Sequence, residues 1–256
     1  MAEAMKTCFS IDYCTTHEDR LFTRAPYEKE IFLSKAPIDI MIAGPSLKID
    51  PDLHVICMLR DPRDIISSKH KKDPERYWAG LKFWKLYIQE VEKLKGHPRF
   101  IQVVYEQLVS DPDRIQDMIS KKIPYLEKTE LFSEFHQSAE VSEASLEALR
   151  SVRPIKPESI GRWREHKARV AGQIQLHGDI SDDLIRYGYE KDKSWLRELE
   201  GVEPDTSPSH FSEYWKPKSR FFLKFGKYAE ASRRTLEQEI GYRIRITHPK
   251  KWFRSL

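Results

Sequence analysis

Hydrophobic positions along the chain fall into short β-type runs separated by longer stretches with helical spacing. Val55 to Leu59 is an apolar run that reads as a buried strand. A turn with Arg60, Asp61, Pro62 and Arg63 follows, and then a helix start, with Asp61 in the N-cap position and Pro62 first in the helix. Ser68 stands eight residues after Arg60, which predicts a place about two helical turns in. Glu30 to Lys35 reads as a short strand ending at Ala36-Pro37, and Ile38 to Ala43 as a helical turn or strand that Gly44-Pro45 breaks. Asp73-Pro74 is expected to cap a helix in which Trp78, Leu81, Phe83, Trp84, Tyr87, Ile88, Val91 and Leu94 recur at helical spacing. That helix runs to about Lys95, where Gly96-His97-Pro98 stops it. Phe100 to Tyr105 is a second strongly β-type run, and Asp111-Pro112 opens another helix. Residues 127–150 read as helical and acidic, Leu184 to Tyr189 as a helix closed by Gly188, and residues 1–30 as irregular.

Strand, helix, strand, helix in that order predicts an α/β fold with a parallel sheet flanked by helices. The expected organisation is one α/β domain over residues 1–195, a linker over 196–212 with Gly201, Pro204 and Pro208, and a basic aromatic extension over 213–256.

Composition narrows the class. Six Trp, eleven Tyr and twelve Phe argue against disorder, although the hydrophobic fraction is only 39%. No apolar run approaches a membrane span, and the opening residues lack the apolar core of a signal peptide, so a cytoplasmic protein is expected. Cys8, Cys14 and Cys57 lack metal-ligand spacing, and no metal is expected. The net charge of +4 is uneven: residues 215–256 carry twelve Lys/Arg against three Glu. Such a tail can meet nucleic acid, anionic lipid or an acidic partner. A solvated helix face is the simpler reading, and nucleic acid is not favoured because no recognised motif accompanies the charge.

An Arg at a strand end with a hydroxyl beyond it suits an anion, since α/β proteins bind phosphates where strands give way to helices. Arg60 also reads as a plain surface charge. Three further segments bear on the choice: Val104 to Pro112, Arg153 to His166, and Tyr187-Gly-Tyr189. In the second of these, Gly161 would let backbone approach a ligand, while Lys156, Ser159 and Arg162 offer donors to a phosphate.

Together these segments resemble the sulfotransferases that use 3′-phosphoadenosine 5′-phosphosulfate, closest to their bacterial branch, over about residues 31–195. The resemblance implies a P-loop-like parallel sheet and a soluble enzyme. It assigns Arg60 and Ser68 to the donor's 3′-phosphate through the strand–Arg–x(7)–Ser spacing. It places Tyr105 near the adenine, makes Glu106 structural, and closes the segment of Ser159, Gly161, Trp163 and Arg164 over the nucleotide. Packing readings stand beside these for Tyr105 and Trp163, as do surface ion pairs of Arg162 and Arg164 with Glu158 and Glu165. By the same resemblance Lys35 stabilises the transferring group, although it reads equally as a surface residue capping a strand end, and the acceptor's proton goes to Glu18, His17 or Asp39, since Pro37 stands where some members carry His. The acceptor is a hydroxyl or amine on a carbohydrate, lipid or small metabolite.

The family's second phosphate grip, a strand followed by Pro-x-x-Gly-Thr-Thr or Ser-Gly-Thr, is not found in residues 1–60. Three expectations follow: an N-terminally truncated chain, a homologue without catalysis, or a grip supplied by other residues. The first is preferred. A non-catalytic nucleotide-binding or protein-interaction module is the alternative function.

Overall fold

The computed structural model describes residues 1–18, 30–70, 73–139, 152, 154–210, 224–226, 228–229, 232–233 and 236. The helices are α1 (Ala2–Cys8), α2 (Ile40–Ile49), α3 (Pro62–Ile66), α4 (Leu81–Leu94), α5 (Tyr105–Ser110), α6 (Pro112–Lys122), α7 (Phe135–Ser138), α8 (Lys167–His177) and α9 (Ser181–Arg186). The strands are β1 (Tyr13–Glu18), β2 (Phe32–Lys35), β3 (Val55–Leu59), β4 (Lys69–His70), β5 (Asp73–Tyr77) and β6 (Phe100–Val104). The fold is α/β, with two small parallel sheets and one antiparallel pair among the helices of the described residues.

The parallel pair β3 and β6 lies between two hydrophobic cores. Val55 stands opposite Phe100 and Leu59 opposite Val104, without a break in register. Alternation along these strands serves two cores. Ile56, Ile101 and Val103 face one that includes Met5, Cys8, Phe9, Ile115 and Phe132. Val55, Cys57, Leu59 and Phe100 face another built on α2 and α4 through Ala43, Leu47, Trp84, Ile88 and Val91. Covering both faces is what parallel strands require. Ile31 and Leu33 pack on the first core, so the segment of β2 shares it. A third core, with Ile66, Leu81, Trp163, Val170, Leu184 and Trp195, joins α3 to α8 and α9.

Local capping rules hold at two of the three expected Asp-Pro starts. Asp61 accepts the Arg63 N–H, Asp111 accepts the Arg114 N–H, and a proline follows each as the first helical residue. α9 ends at Arg186 with Tyr187 as its C-cap, and Gly188 takes φ 77° beyond it.

Several elements differ from expectation. Residues 1–18 are ordered as α1 and β1 rather than irregular. Pro45 lies inside α2 and does not break it. Its missing N–H costs about 3 kcal/mol, but Met41, Ile42, Ala43 and Leu47 are buried, and full burial of a large apolar side chain contributes roughly 1.5–3 kcal/mol. Asp73-Pro74 caps no helix; it starts β5, which pairs antiparallel with β4. α4 begins instead after Gly80, where Gln173 accepts the Leu81 N–H at 2.7 Å. Trp78 is therefore outside the helix and stacks on His210, with ring centroids 5.3 Å apart. α3 stops at Ile66, and Ser67 and Ser68 just beyond it donate their hydroxyls to the carbonyls of Arg63 and Asp64. Ser68 is thus just past the helix rather than two turns within it. Of the helix expected over 127–150, residues 127–139 form turns and the short α7, while 140–150 lie outside the described residues. Most of 213–256 lies outside them too; of that extension, Lys224 pairs with Glu90 of α4 at 2.7 Å.

Residues 201–210, expected as linker, run along the domain. Asp205 N–H donates to the Ala168 carbonyl and His210 N–H to that of Tyr77, at 2.8 and 2.7 Å.

Candidate functional site

In-register pairing decides where the key side chains emerge. Because Leu59 is opposite Val104, Arg60 and Tyr105 leave neighbouring strand ends together. The Arg60 guanidinium lies over the Tyr105 ring, 4.6 Å from its centroid. Arg60 Nη2 donates to the Ser159 carbonyl at 2.7 Å and stands 3.9 Å from Asp64 Oδ2. Its side chain is 24% exposed, so the cation is reachable from solvent but fixed on three sides. Arg60 Nε is buried and has no hydrogen-bond partner among the described residues.

Asp64 organises the other half. Its carboxylate is fully buried and accepts the Gly161 N–H on Oδ2 and the Trp163 N–H on Oδ1, both at 2.8 Å. Gly161 has φ 73°, and a Cβ there would stand 2.9 Å from Arg164 Nη1, so glycine fits this turn as side-chain-bearing residues do not. Ser68 Oγ donates to the Asp64 carbonyl at 3.0 Å. Of the expected donor-binding residues, Arg60, Tyr105, Ser159 and Gly161 come together, and Ser68 joins them through Asp64. Lys156 and Arg162 are exposed, and Arg162 is engaged by Glu165 at 3.5 Å. Arg164 pairs with Glu198 at 3.1 Å, not with Glu158 or Glu165 as expected.

Under the site lies an ionic core that sequence reasoning missed. Arg63 is 2% exposed, bonded to Asp61 at 2.7 Å and Glu190 at 2.6 Å. Its guanidinium sits 4.3 Å from the Trp163 ring and 4.8 Å from that of Trp195. Burial alone would lower the Arg63 pKa; the hydrogen bonds to Asp61 and Glu190 outweigh it and raise the value. Trp163 is fully buried here, so it packs rather than meeting a ligand. The available signal for Asp64 was its position four residues after Arg60 in a turn of alternating charge; nothing local pointed to Glu190.

Glu106 accepts the Asp61 N–H at 3.0 Å, which ties α5 to the turn before α3. Burial raises its pKa despite that bond, and its Oε2 has no partner among the described residues. Tyr189 lies in the same field: burial, then Glu106 and Asp61, push its hydroxyl up.

A second locus forms where β1 and β2 pair in parallel. Glu18 stands opposite Lys35, and their charges meet at 3.3 Å with both side chains well exposed. A pair this exposed is worth at most about 1 kcal/mol, so opening it toward another anion costs little. Asp39 is buried at 3% exposure in a 3-10 turn just beyond. Tyr87 of α4 senses both carboxylates: burial first, then Asp39 and Glu18, raise its pKa. His17 lies in β1.

Residues 1–122 match the model of the sulfotransferase family. The chain resembles that family, and the match supports a sulfotransferase function in general terms, with a sulfate donor and an acceptor. No curated protein matches the chain. Among the described residues no helix is long and apolar enough to cross a membrane, and no group of three or more His, Cys, Asp or Glu could hold a metal ion.

Proposed function

We propose that this protein binds 3′-phosphoadenosine 5′-phosphosulfate and moves its sulfuryl group to a hydroxyl or amine. The observation that carries the reading is the junction at Arg60. One cation, stacked on Tyr105 at the ends of β3 and β6, meets the segment of Ser159 and Gly161 within hydrogen-bond reach. Arg60 and Ser68 hold the 3′-phosphate, with Lys156 and Arg162 as exposed cations at its rim and Tyr105 beside the adenine.

In the transfer, a lone pair on the acceptor oxygen or nitrogen attacks sulfur in line. The bond from sulfur to the bridging oxygen breaks, and adenosine 3′,5′-bisphosphate leaves. Charge builds on that oxygen, and Lys35 is the cation proposed to stabilise it. The acceptor's proton goes to Glu18, already held beside Lys35, with Asp39 and His17 as the other bases in the same stretch. The acceptor itself is a carbohydrate, lipid or small metabolite, the protein works in the cytoplasm, and residues 213–256 form a C-terminal extension.

A second reading, a nucleotide-binding module without transfer, is favoured by one observation: residues 1–60 contain no Pro-x-x-Gly-Thr-Thr or Ser-Gly-Thr loop. Calorimetric titration with adenosine 3′,5′-bisphosphate tests the site common to both. Binding should weaken in Arg60→Ala by about 1.5–3 kcal/mol, the worth of a hydrogen bond to a charged group. Unchanged affinity would remove the site from the proposal. Release of the bisphosphate from the sulfated donor, in the presence of a mixed panel of hydroxyl and amine acceptors, separates the enzyme from the module.

A further inference from the structure

We propose that Asp64 is the positioning residue that locks the two halves of the 3′-phosphate grip to each other. The inference rests on the nucleotide reading above and names the group that makes the grip rigid. Arg60 and Ser68 flank α3, while Ser159 and Gly161 lie almost a hundred residues later in a segment of turns. Turns without regular hydrogen bonding have little to hold them at fixed distance from a strand end. Asp64 supplies that constraint from the middle of α3.

The carboxylate uses both oxygens as acceptors of backbone N–H groups, one from Gly161 and one from Trp163. With both amides pinned, the chain between them is held, and the Ser159 carbonyl is kept where Arg60 Nη2 can donate to it. The same carboxylate is 3.9 Å from Arg60 Nη2, so it also biases the guanidinium toward this segment. Its own backbone carbonyl takes the Ser68 hydroxyl. Thus one residue touches Arg60, Ser68, Gly161 and Trp163 without facing solvent. A buried carboxylate is costly unless such donors compensate it, and here the compensation comes from the segment that is to be positioned.

Asp64→Asn isolates the effect. An amide keeps one oxygen and turns an NH2 toward the other N–H, so whichever way it lies, one of the two amides loses its acceptor. Affinity for adenosine 3′,5′-bisphosphate and for adenosine 5′-monophosphate is measured by calorimetry in the wild type and the variant. Loosening the grip should cut the preference for the bisphosphate by about tenfold or more. Affinity for the monophosphate, which has no 3′-phosphate, should change little. A purely structural role would lower both affinities together and leave their ratio unchanged, which would overturn the proposal. A wild type that binds neither nucleotide would overturn the nucleotide reading itself. A wild type that prefers the bisphosphate, with an equal preference in the variant, would overturn only the role of Asp64. Amide hydrogen exchange adds a measurement that does not depend on the variant folding. In the wild type the bisphosphate, and not the monophosphate, should further slow exchange at Gly161 and Trp163; equal rates with both nucleotides would also count against the proposal.

Discussion

Arg60 and Arg63 sit three positions apart in one turn, yet their surroundings differ in kind. Arg60 keeps 24% of its side chain exposed and is held by a carbonyl and a ring, so it can still meet an anion. Arg63 is enclosed by two carboxylates and two indoles and has no room for a ligand. Removing one partner of a buried ion pair costs about 3–5 kcal/mol. Arg63→Ala, which strands Asp61 and Glu190, is therefore expected to lose stability on that scale in urea denaturation, whereas Arg60→Ala should change binding far more than stability. Glu106 allows a test of sign. Its pKa is raised in the fold, so its ionised form is disfavoured there. Below its ordinary pKa the group is protonated in both states and no penalty exists; as pH rises through the raised value, the penalty appears. Glu106→Gln keeps an oxygen for the Asp61 N–H and cannot ionise. Relative to wild type it should be more favourable at pH 7 than at pH 4, and denaturation curves at the two values give the answer. A difference of the opposite sign would mean that the backbone N–H bonds to the carboxylate, with Arg60 behind them, outweigh burial.

Among elements, α8 shows a conflict between local propensity and packing. Gly172 lies inside it, and glycine in a helix interior costs roughly 0.5–1 kcal/mol relative to alanine. Local reasoning would make Gly172→Ala stabilising. In the fold, however, a Cβ at this position would stand 2.0 Å from the backbone oxygen of Asp205. Backbone cannot rotate aside as a side chain can, and overpacking of this kind costs about 1–3 kcal/mol. Gly172→Ala is expected to lower the melting temperature, and a rise would show that residues 201–210 do not pack on α8. β5 makes the same point from the other side: Asp-Pro is a strong helix opening at positions 61 and 111, but at position 73 the chain pairs with β4 and the signal is overridden.

At the scale of the whole molecule, the stretch that matches the sulfotransferase family ends at residue 122 and contains Lys35, Arg60, Ser68 and Tyr105. The residues 159–163 of the proposed site lie beyond the match, and Asp64 accepts the Gly161 and Trp163 N–H groups there. A second fastening holds residues 201–210. Arg169 is fully buried and donates to the carbonyls of Ile66, Ala79 and Ser207 and to Ser209 Oγ, with its guanidinium 4.4 Å from the Tyr77 ring centroid. One side chain thus joins α3, the approach to α4, α8 and the segment after Gly201. Arg169→Leu should leave these acceptors unsatisfied, at about 1–3 kcal/mol for each one that water cannot reach. The expected result is rapid proteolysis within 201–210 while β3 and β6 persist; unchanged cleavage would show that the segment is held by other contacts.

Spacing in the amino-acid sequence by itself determined the two central strands, the Asp-Pro caps at 61–62 and 111–112, the end of α4 and the close of α9 at Gly188. Each is a local matter, set by side-chain period, a capping oxygen or a permissive φ within a few residues. The strand–Arg and strand–Tyr runs were legible as well, but that Arg60 and Tyr105 meet follows from the in-register pairing of β3 and β6 in the fold. Tertiary structure alone decided that Pro45 stays helical, that Asp73 starts a strand, and that Arg63 is buried while Arg60 is not. It also decided that Asp64 accepts the backbone N–H groups of Gly161 and Trp163, almost a hundred residues away. The reason is energetic and geometric: burying several side chains outweighs a local preference of a few kcal/mol, and a partner such as Glu190, 127 residues from Arg63, leaves no trace in the spacing of its neighbours.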